Sequence, residues 1–132
     1  MKQSPSIEDY ILQHIDEESD YLRRLYRDTH IKLLRPRMAS GHLQGRVLKM
    51  FVEMIQPKNI LEIGTYSGYS ALCLAEGLTK KGKLYTFEIN DEIEDFTRPC
   101  FENSMYASAI INSSRCHYIE FYNHTLVKPS IT

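Results

Sequence analysis

The sequence NILEIGTYSG at residues 59–68 decides the fold of this chain. Its first half is short, apolar and bounded by turn residues, which is typical of a buried strand. Its second half holds two glycines and predicts a turn. Helical spacing returns over residues 69–79, and a second strand follows at residues 83–88 and ends in Glu88. This order predicts a βαβ unit with a right-handed crossover, and therefore an α/β fold with a parallel sheet.

Two helices are predicted before this unit, within residues 1–35. Ser6 followed by Asp9 indicates the start of the first helix, because a serine hydroxyl can cap free backbone N–H groups. The arginines of the second helix are expected to face solvent, and Pro36 ends the region. The predicted inner face of the second helix consists of Leu22, Leu25, Tyr26 and Thr29.

The clearest amphipathic helix is predicted at residues 42–55. The apolar stripe that we expect to face the core consists of Leu43, Val47, Leu48, Phe51, Met54 and Ile55. The face that we expect to point away consists of Gln44, Arg46, Lys49 and Glu53. Met50 and Met54 are interpreted as core-filling residues.

A further helix is predicted after the second strand. Asn90 is suited to cap it, and the two acids that follow agree with the helix dipole. Pro99 falls inside this helix, where a proline costs about 3 kcal/mol. We therefore expect a helix that is short or kinked near Arg98. Its predicted inner face consists of Ile93, Phe96 and Phe101.

The composition is ordinary for a globular protein of one domain, with 132 residues, 42% of them hydrophobic and 25% charged. A net charge of -1 creates no whole-chain field that would attract nucleic acid or anionic lipid. The N-terminus lacks the apolar core of a signal peptide, and no apolar run reaches the roughly 20 residues that span a bilayer. Cys73, Cys100 and Cys116 form no CxxC pair. We expect a cytoplasmic protein with no nucleic-acid or membrane partner.

The βαβ unit predicts a site for a nucleoside-bearing cofactor. Glycines in the turn let a ligand approach the backbone, and Glu88 is suited to hold the two hydroxyls of a ribose. A dinucleotide site favours G-x-G-x-x-G, whereas Tyr66 stands here in place of the middle glycine. Glu62 precedes the turn, where a carboxylate would repel phosphate but could accept from an amino group. S-adenosylmethionine fits this pattern better, and a nicotinamide cofactor is the weaker alternative.

Four motifs resemble the small metal-dependent O-methyltransferases, the group that contains the catechol and caffeoyl-CoA enzymes. LEIGTYSGYS at residues 61–70 resembles the first motif of that group, and FEIN at residues 87–90 resembles the second. MAS at residues 38–40 and QGR at residues 44–46 resemble its approach to the cofactor. The resemblance covers about residues 30–100. It implies a Rossmann-like fold that binds S-adenosylmethionine, preceded by N-terminal helices.

At the methionine end of the cofactor, the resemblance implies roles for four residues. Glu62 would bind the amino group of the methionine portion. Gly64 would pack against the cofactor through its backbone. Tyr66 and Ser70 would contact the methionine portion.

At the nucleoside end, the resemblance implies roles for four further residues. Glu88 would grip the ribose hydroxyls, and Ile89 would lie against the adenine. Met38 and Ser40 would close over the cofactor.

The tail at residues 104–132 is atypical of this group. The resemblance implies a third strand, a fourth strand that ends in aspartate, and a later Asp-Asn pair. These acids would hold a divalent metal, Mg²⁺, that orients the acceptor hydroxyl and lowers its pKa. After Ser104 the only acid is Glu120, so the sequence identifies neither metal ligands nor catalytic residues. His117 and His124 lack nearby carboxylates and are not interpreted as ligands.

Three explanations of the tail stay open. A frame change or early stop is favoured because the composition shifts abruptly. The chain could instead be a natural short form that needs another chain, or the tail could supply a replacement strand at residues 118–122. We divide the single, partial domain into the N-terminal helices at 1–35, a cofactor-binding βαβ region at 36–103 and the tail at 104–132.

An incomplete sheet predicts self-association. In this fold the first strand is central, so the loss of the fourth strand would leave one apolar edge at Ile60, Leu61 and Ile63 unpaired. We expect a homodimer or another form of self-association through this edge. Two functions follow from the sequence: methyl transfer from S-adenosylmethionine to a hydroxyl of a small molecule, impaired by truncation, or a non-catalytic cofactor-binding or interaction remnant.

Overall fold

A computed structural model describes residues 6–113 of the chain. These residues form five helices and three strands. Their order is the one that the sequence predicted, except that a third strand is added at the end. The α/β fold class is therefore confirmed. Short 3-10 turns lie at Pro36–Met38 and Asp91–Ile93. The elements are α1 (Ile7–His14), α2 (Asp20–Lys32), α3 (His42–Ile55), β1 (Asn59–Ile63), α4 (Tyr69–Glu76), β2 (Lys83–Phe87), α5 (Glu94–Glu102) and β3 (Ile110–Ser113).

The strands form a parallel sheet in the order β1-β2-β3. Ile60 lies opposite Leu84, which in turn lies opposite Ile110. Within residues 6–113, β1 pairs with β2 alone, so its other edge has no strand beside it. The sequence did not predict β3, which belongs to the segment described as an atypical tail. The candidate strand at residues 118–122 lies outside the described residues.

The core lies between the sheet and helix α4. Five of the eight residues of α4 are buried, and Ala71 and Cys73 are fully enclosed. The helix ends at Glu76, about one turn earlier than the predicted end at residue 79. Gly77 follows, and a Cβ atom there would lie 2.8 Å from the Lys49 carbonyl oxygen. The close passage of α3 at this point therefore replaces the last predicted helical turn with a loop.

Helix α3 does not bury its predicted apolar stripe, although Gln44 and Glu53 of the predicted outer face are exposed as expected. The apolar stripe is largely exposed, with Met54 at 73% and Ile55 at 71% of their full exposure. The buried residues of α3 are Gly45, Arg46 and Val52. A Cβ atom at Gly45 would lie 2.6 Å from Sγ of Cys73, so glycine lets α3 and α4 approach closely. The predicted core role of the stripe, including Met50 and Met54, is therefore wrong.

Arg46 was predicted to face solvent, but it is buried in a pair with Glu76. Its guanidinium lies 2.7 Å from the Glu76 carboxylate, and both side chains are nearly enclosed, at 8% and 12% exposure. Two opposite charges buried together satisfy one another, whereas either one alone would be costly. The pair lies between α3 and α4, which explains why a charged residue, rather than the apolar stripe, faces inward.

Most predictions for the other helices are confirmed, but Asn90 caps the 3-10 turn Asp91–Ile93 and not α5, which begins at Glu94 after Ile93. Ser6 and Asp9 form a reciprocal capping box at the start of α1. In α5, Pro99 lies inside a helix of only nine residues, as expected of a short helix. On the predicted inner face of α2, Leu22, Leu25 and Thr29 are buried, and Tyr26 packs against the core. No helix among residues 6–113 is long and apolar enough to cross a membrane.

Candidate cofactor site

The turn between β1 and α4 is shaped by three residues with positive φ: Gly64 (98°), Tyr66 (45°) and Gly68 (81°). This left-handed region is favourable for glycine and strained for tyrosine. The N–H group of Gly64 donates to the Phe87 carbonyl oxygen at 2.8 Å, which joins the turn to the end of β2. A Cβ atom at Gly64 would meet nothing within 4 Å, so open space borders the backbone there.

Gly68, the second glycine of the turn, lies in close contact with helix α5. A Cβ atom at Gly68 would lie 2.8 Å from two ring atoms of Phe101. Glycine at this position therefore allows the start of α4 to pack against α5. The hydroxyl of Thr97, also in α5, donates to the Tyr66 carbonyl oxygen at 2.8 Å. Helix α5 thus holds the turn in place through its contacts with Tyr66 and Gly68.

Glu88 follows β2, and its carboxylate is fixed beside the turn. One oxygen accepts from the Tyr66 N–H at 2.7 Å. The other accepts from the N–H groups of Ile89 at 2.9 Å and Asn90 at 3.0 Å. Hydrogen bonds to an ionised acceptor are stronger than those to a neutral one. These three bonds hold the carboxylate at the carboxyl edge of the sheet, which is where open α/β sheets bind ligands.

Glu62 lies in β1, and hydroxyl groups contact both of its oxygens. Ser70 donates to one at 2.6 Å, and Thr86 donates to the other at 2.5 Å. The hydroxyl of Thr65 lies 2.6 Å from that of Thr86 and extends the chain. Burial raises the pKa of Glu62, the two hydroxyl bonds oppose part of that rise, and the charge of Glu88 adds to it. The site therefore contains a carboxylate that a cationic ligand would stabilise.

The hydroxyl of Tyr66 is buried, and its interaction with the backbone of Arg35 falls short of a regular hydrogen bond. Burial raises the pKa of this hydroxyl, and Arg35 opposes part of the rise. Arg35 directly precedes the 3-10 turn Pro36–Met38, so that segment begins beside the glycine turn. A buried hydroxyl without a regular hydrogen bond is costly, and a ligand that supplied one would remove the cost.

The structure brings most of the predicted site residues together. Glu62, Ser70, Tyr66 and Glu88 are linked through the turn by the bonds given above. Ile89 is 87% exposed, so its side chain is open to a flat apolar ligand.

Two other predicted site residues, Met38 and Ser40, take no part in these hydrogen bonds. Met38 is 61% exposed, and Ser40 is half-buried in the loop before α3. Within residues 6–113, neither of them makes a recorded hydrogen bond to the turn.

Three threonines that support the candidate site were not predicted from the sequence. Thr86 lies opposite Glu62 in the strand register and supports it from β2, and Thr65 extends the same chain. A polar residue in the middle of a buried strand is the signal that could have indicated Thr86. Thr97 supports the turn from α5 across 31 positions of sequence, and no local pattern indicates that contact.

The metal site that the resemblance implies is not found in this part of the chain. Among residues 6–113, no group of three or more His, Cys, Asp or Glu side chains is placed to hold a metal ion. The donors needed for a divalent cation are several oxygen ligands around one point. The described residues do not fit that requirement.

A parallel sheet with a fixed carboxylate after β2 and an open glycine turn after β1 is the arrangement of a Rossmann-like fold. The family model described as O-methyltransferase matches residues 12–126 of the chain. The chain belongs to the O-methyltransferase family.

Individual relatives agree with this membership. Caffeoyl-CoA O-methyltransferase from Mesembryanthemum crystallinum is 33% identical over 107 residues, which cover 77% of this chain and 42% of that protein. Catechol O-methyltransferase from Niastella koreensis is 42% identical over 53 residues, which cover 40% of this chain and 24% of that protein. The chain therefore spans less than half the length of these relatives.

A solved structure confirms the fold. The O-methyltransferase from Bacillus cereus, in complex with SAH (S-adenosylhomocysteine), superposes with a TM-score of 0.80 at 24% identity. The match covers 93% of this chain and 56% of that chain. The Rossmann-like methyltransferase fold predicted from the sequence is therefore confirmed, and this chain covers about half of it.

Proposed function

We propose that this chain binds S-adenosylmethionine at the turn between β1 and α4 and transfers its methyl group to a hydroxyl of a small molecule. One observation carries the proposal: the Glu88 carboxylate is fixed by three backbone N–H groups beside the open backbone of Gly64. That arrangement suits the paired hydroxyls of a ribose. Family membership favours this cofactor over a dinucleotide, as does Tyr66 in place of a glycine.

The methionine portion would lie over the turn. Each carboxylate oxygen has two lone pairs, so Glu62 can keep its bonds to Ser70 and Thr86 and still accept from the cofactor's ammonium group. The backbone of Gly64 would pack against the ligand, and the buried hydroxyl of Tyr66 could donate to it. Ser70 would contact the methionine portion as well.

The nucleoside portion would lie beyond the end of β2. Glu88 would accept from one ribose hydroxyl at the lone pair that its three backbone bonds leave free, and from the other in exchange for one of those bonds. Exposed Ile89 would pack against the adenine ring. Met38 and Ser40 would close over the cofactor once it is bound. Closure would need that segment to move towards the turn, and its exposure leaves it room to do so.

The proposed reaction is a direct transfer between two bound groups. The bond between the methyl carbon and the cofactor sulfur breaks as a bond forms from that carbon to the acceptor oxygen; the sulfonium becomes the neutral thioether of S-adenosylhomocysteine, and the hydroxyl proton passes to solvent water. The chain's own contribution is orientation, because holding two reactants in line removes much of the entropic barrier. Mg²⁺ would activate the hydroxyl in this family, but the described residues provide no site for it.

The test of this function is methyl transfer to a simple catechol in the presence of magnesium. Turnover by the wild-type chain that is lost in Glu88→Ala would support the proposal. A chain that binds the cofactor without turnover would support the second candidate, a non-catalytic cofactor-binding module. That candidate is kept because residues 6–113 contain a fitting cofactor site but no fitting metal site.

Cofactor binding is expected to depend on pH through Glu62. Its pKa lies above the ordinary value in the free protein, and the cofactor's ammonium favours the ionised form. Affinity for SAH should therefore be full above that pKa and fall as the pH drops through it, by up to about tenfold per pH unit. Calorimetric titrations at successive pH values would measure this.

The control for the pH experiment is Glu62→Gln, which keeps groups that can bond to Ser70 and Thr86 but cannot ionise. Its affinity should be lower at neutral pH and flat over the same acidic range. Circular dichroism at each pH would confirm that both proteins stay folded. Equal pH profiles for the two proteins would contradict a direct role for the Glu62 charge.

We propose self-association through the edge of β1. Ile63 is 80% exposed and Leu61 is 50% exposed, and β1 has one strand neighbour among the described residues. A lysine on an edge strand opposes edge-to-edge pairing. Ile63→Lys should therefore lower the average mass measured by light scattering, whereas Ile31→Lys, at an exposed position of α2, should not. Identical masses for both variants and the wild type would rule out this edge.

We also propose a cytoplasmic location. Cys73 is buried and Cys100 is half-buried, and both are free thiols. Burial raises the pKa of Cys73 to about 12, so this thiol stays protonated and unreactive. Free thiols of this kind are typical of a reducing compartment. Fractionation of cells that express the full-length gene product would test the location.

A further inference from the structure

Tyr69 is the first residue of α4 and directly follows the glycine turn. It is only 1% exposed, and its hydroxyl donates a hydrogen bond to the carboxylate of Glu18. Glu18 belongs to the loop between α1 and α2, far from the turn in sequence. A side chain from the loop between the two N-terminal helices thus contacts the residue that follows the cofactor turn.

The Tyr69 ring is enclosed by two more N-terminal elements. The ring of Tyr26, in α2, packs edge-on against it at 5.7 Å between centroids. A Cβ atom at Gly45, in α3, would lie 3.1 Å from a carbon of the Tyr69 ring. The ring therefore has little freedom to move while Glu18 holds its hydroxyl.

Ser70, the residue after Tyr69, contacts the candidate cofactor site. Ser70 donates to Glu62, so adjacent residues of α4 contact the N-terminal loop and the candidate site respectively. Burial raises the pKa of Tyr69, and the hydrogen bond to Glu18 adds to the rise. The hydroxyl therefore stays protonated, and the bond persists over the whole physiological pH range.

We propose that Glu18 is a positioning residue, which fixes Tyr69 and through it the start of α4 and the shape of the cofactor turn. This inference rests on the proposed function of the turn. Without Glu18 the buried hydroxyl of Tyr69 loses its acceptor, and a buried donor without a partner is unfavourable. The start of α4 would then shift to find another acceptor, and Ser70 and the turn would move with it.

Glu17 provides a matched control for Glu18. The two acids are neighbours and line the same cavity of about 560 Å³, together with Arg46 and Glu76. Glu17 is exposed, and no hydrogen bond of its side chain is recorded within the described part of the chain. Removal of Glu17 therefore changes the charge of the cavity without disturbing Tyr69.

The first measurement is the affinity of each variant for SAH by calorimetric titration. Glu18→Ala should weaken binding by up to about tenfold, because cofactor binding must then restore the turn geometry that this hydrogen bond to a charged group holds in the wild type. Glu18→Gln keeps an acceptor oxygen and should restore affinity to within about threefold of the wild type. Glu17→Ala should bind as the wild type does. Wild-type affinity in Glu18→Ala, or no rescue by Glu18→Gln, would overturn the proposal.

The second measurement needs no cofactor and separates failure of this inference from failure of the proposed function. Amide hydrogen exchange of residues 64–72 in the free protein should be faster in Glu18→Ala than in Glu17→Ala, while β2 stays protected in both. Unchanged exchange at the turn would refute the positioning role even if SAH binds. If the wild type fails to bind SAH, the proposed function fails, and the exchange result still decides the role of Glu18.

Discussion

Glu88→Ala is expected to weaken SAH binding by at least about 100-fold, the loss of two hydrogen bonds from ribose hydroxyls to a charged acceptor. The substitution also frees the N–H groups of Tyr66, Ile89 and Asn90, which the carboxylate holds at 2.7–3.0 Å. The turn would therefore lose one of its links to the end of β2, while the bond from the Gly64 N–H to the Phe87 carbonyl oxygen remains. Calorimetric titration would measure the change.

Glu92→Ala is the matched control for Glu88. Glu92 is an exposed acid four residues further along the chain, in the 3-10 turn that Asn90 caps. Its removal alters the net charge by the same amount and should leave the affinity unchanged. If Glu88→Ala binds SAH within about threefold of the wild type, the carboxylate does not hold the ribose, since a single such bond is worth more than that.

Gly68→Ala is expected to destabilise the fold by about 2–4 kcal/mol, the sum of a left-handed backbone cost and an overpacked contact. The backbone at Gly68 has a φ of 81°, and an added Cβ atom would lie 2.8 Å from the Phe101 ring. Either α5 or the start of α4 must move to relieve this contact. Urea unfolding followed by circular dichroism would measure the loss.

Two comparisons isolate the cause of that loss. Gly41→Ala adds a methyl group where nothing lies within 4 Å and should change the free energy of unfolding by less than about 1 kcal/mol. Phe101→Leu combined with Gly68→Ala should cost less than the two single substitutions added together, because leucine leaves room for the methyl group. Strict additivity would show that Phe101 does not cause the cost of the substitution.

The central βαβ unit could be predicted because its signals are local. Each of its elements is indicated by a pattern within about ten residues. An apolar run indicates β1, two glycines indicate the turn, and a second run that ends in Glu88 indicates β2. The candidate site follows from the same unit, since parallel strands bring their carboxyl ends to one edge of the sheet. Glu62, Ser70 and Glu88 accordingly lie at this edge in the structure, and their roles towards a cofactor stay predictions.

Other features depend on partners that the sequence does not place. The apolar stripe of α3 predicted the wrong buried face, because the close approach at Gly45 and the buried pair of Arg46 with Glu76 override hydrophobic periodicity. β3 is a four-residue strand that exists through its pairing with β2. The support of the turn by Thr97 likewise depends on how α5 packs.

Titration of the purified chain with SAH tests the central claim most directly. The claim is that the turn between β1 and α4 forms a working cofactor site within this chain. We expect saturable binding of one SAH molecule per chain by a protein that circular dichroism shows to be folded. A folded chain that releases or absorbs no binding heat at any temperature tried, and that SAH does not protect from unfolding, would contradict the claim.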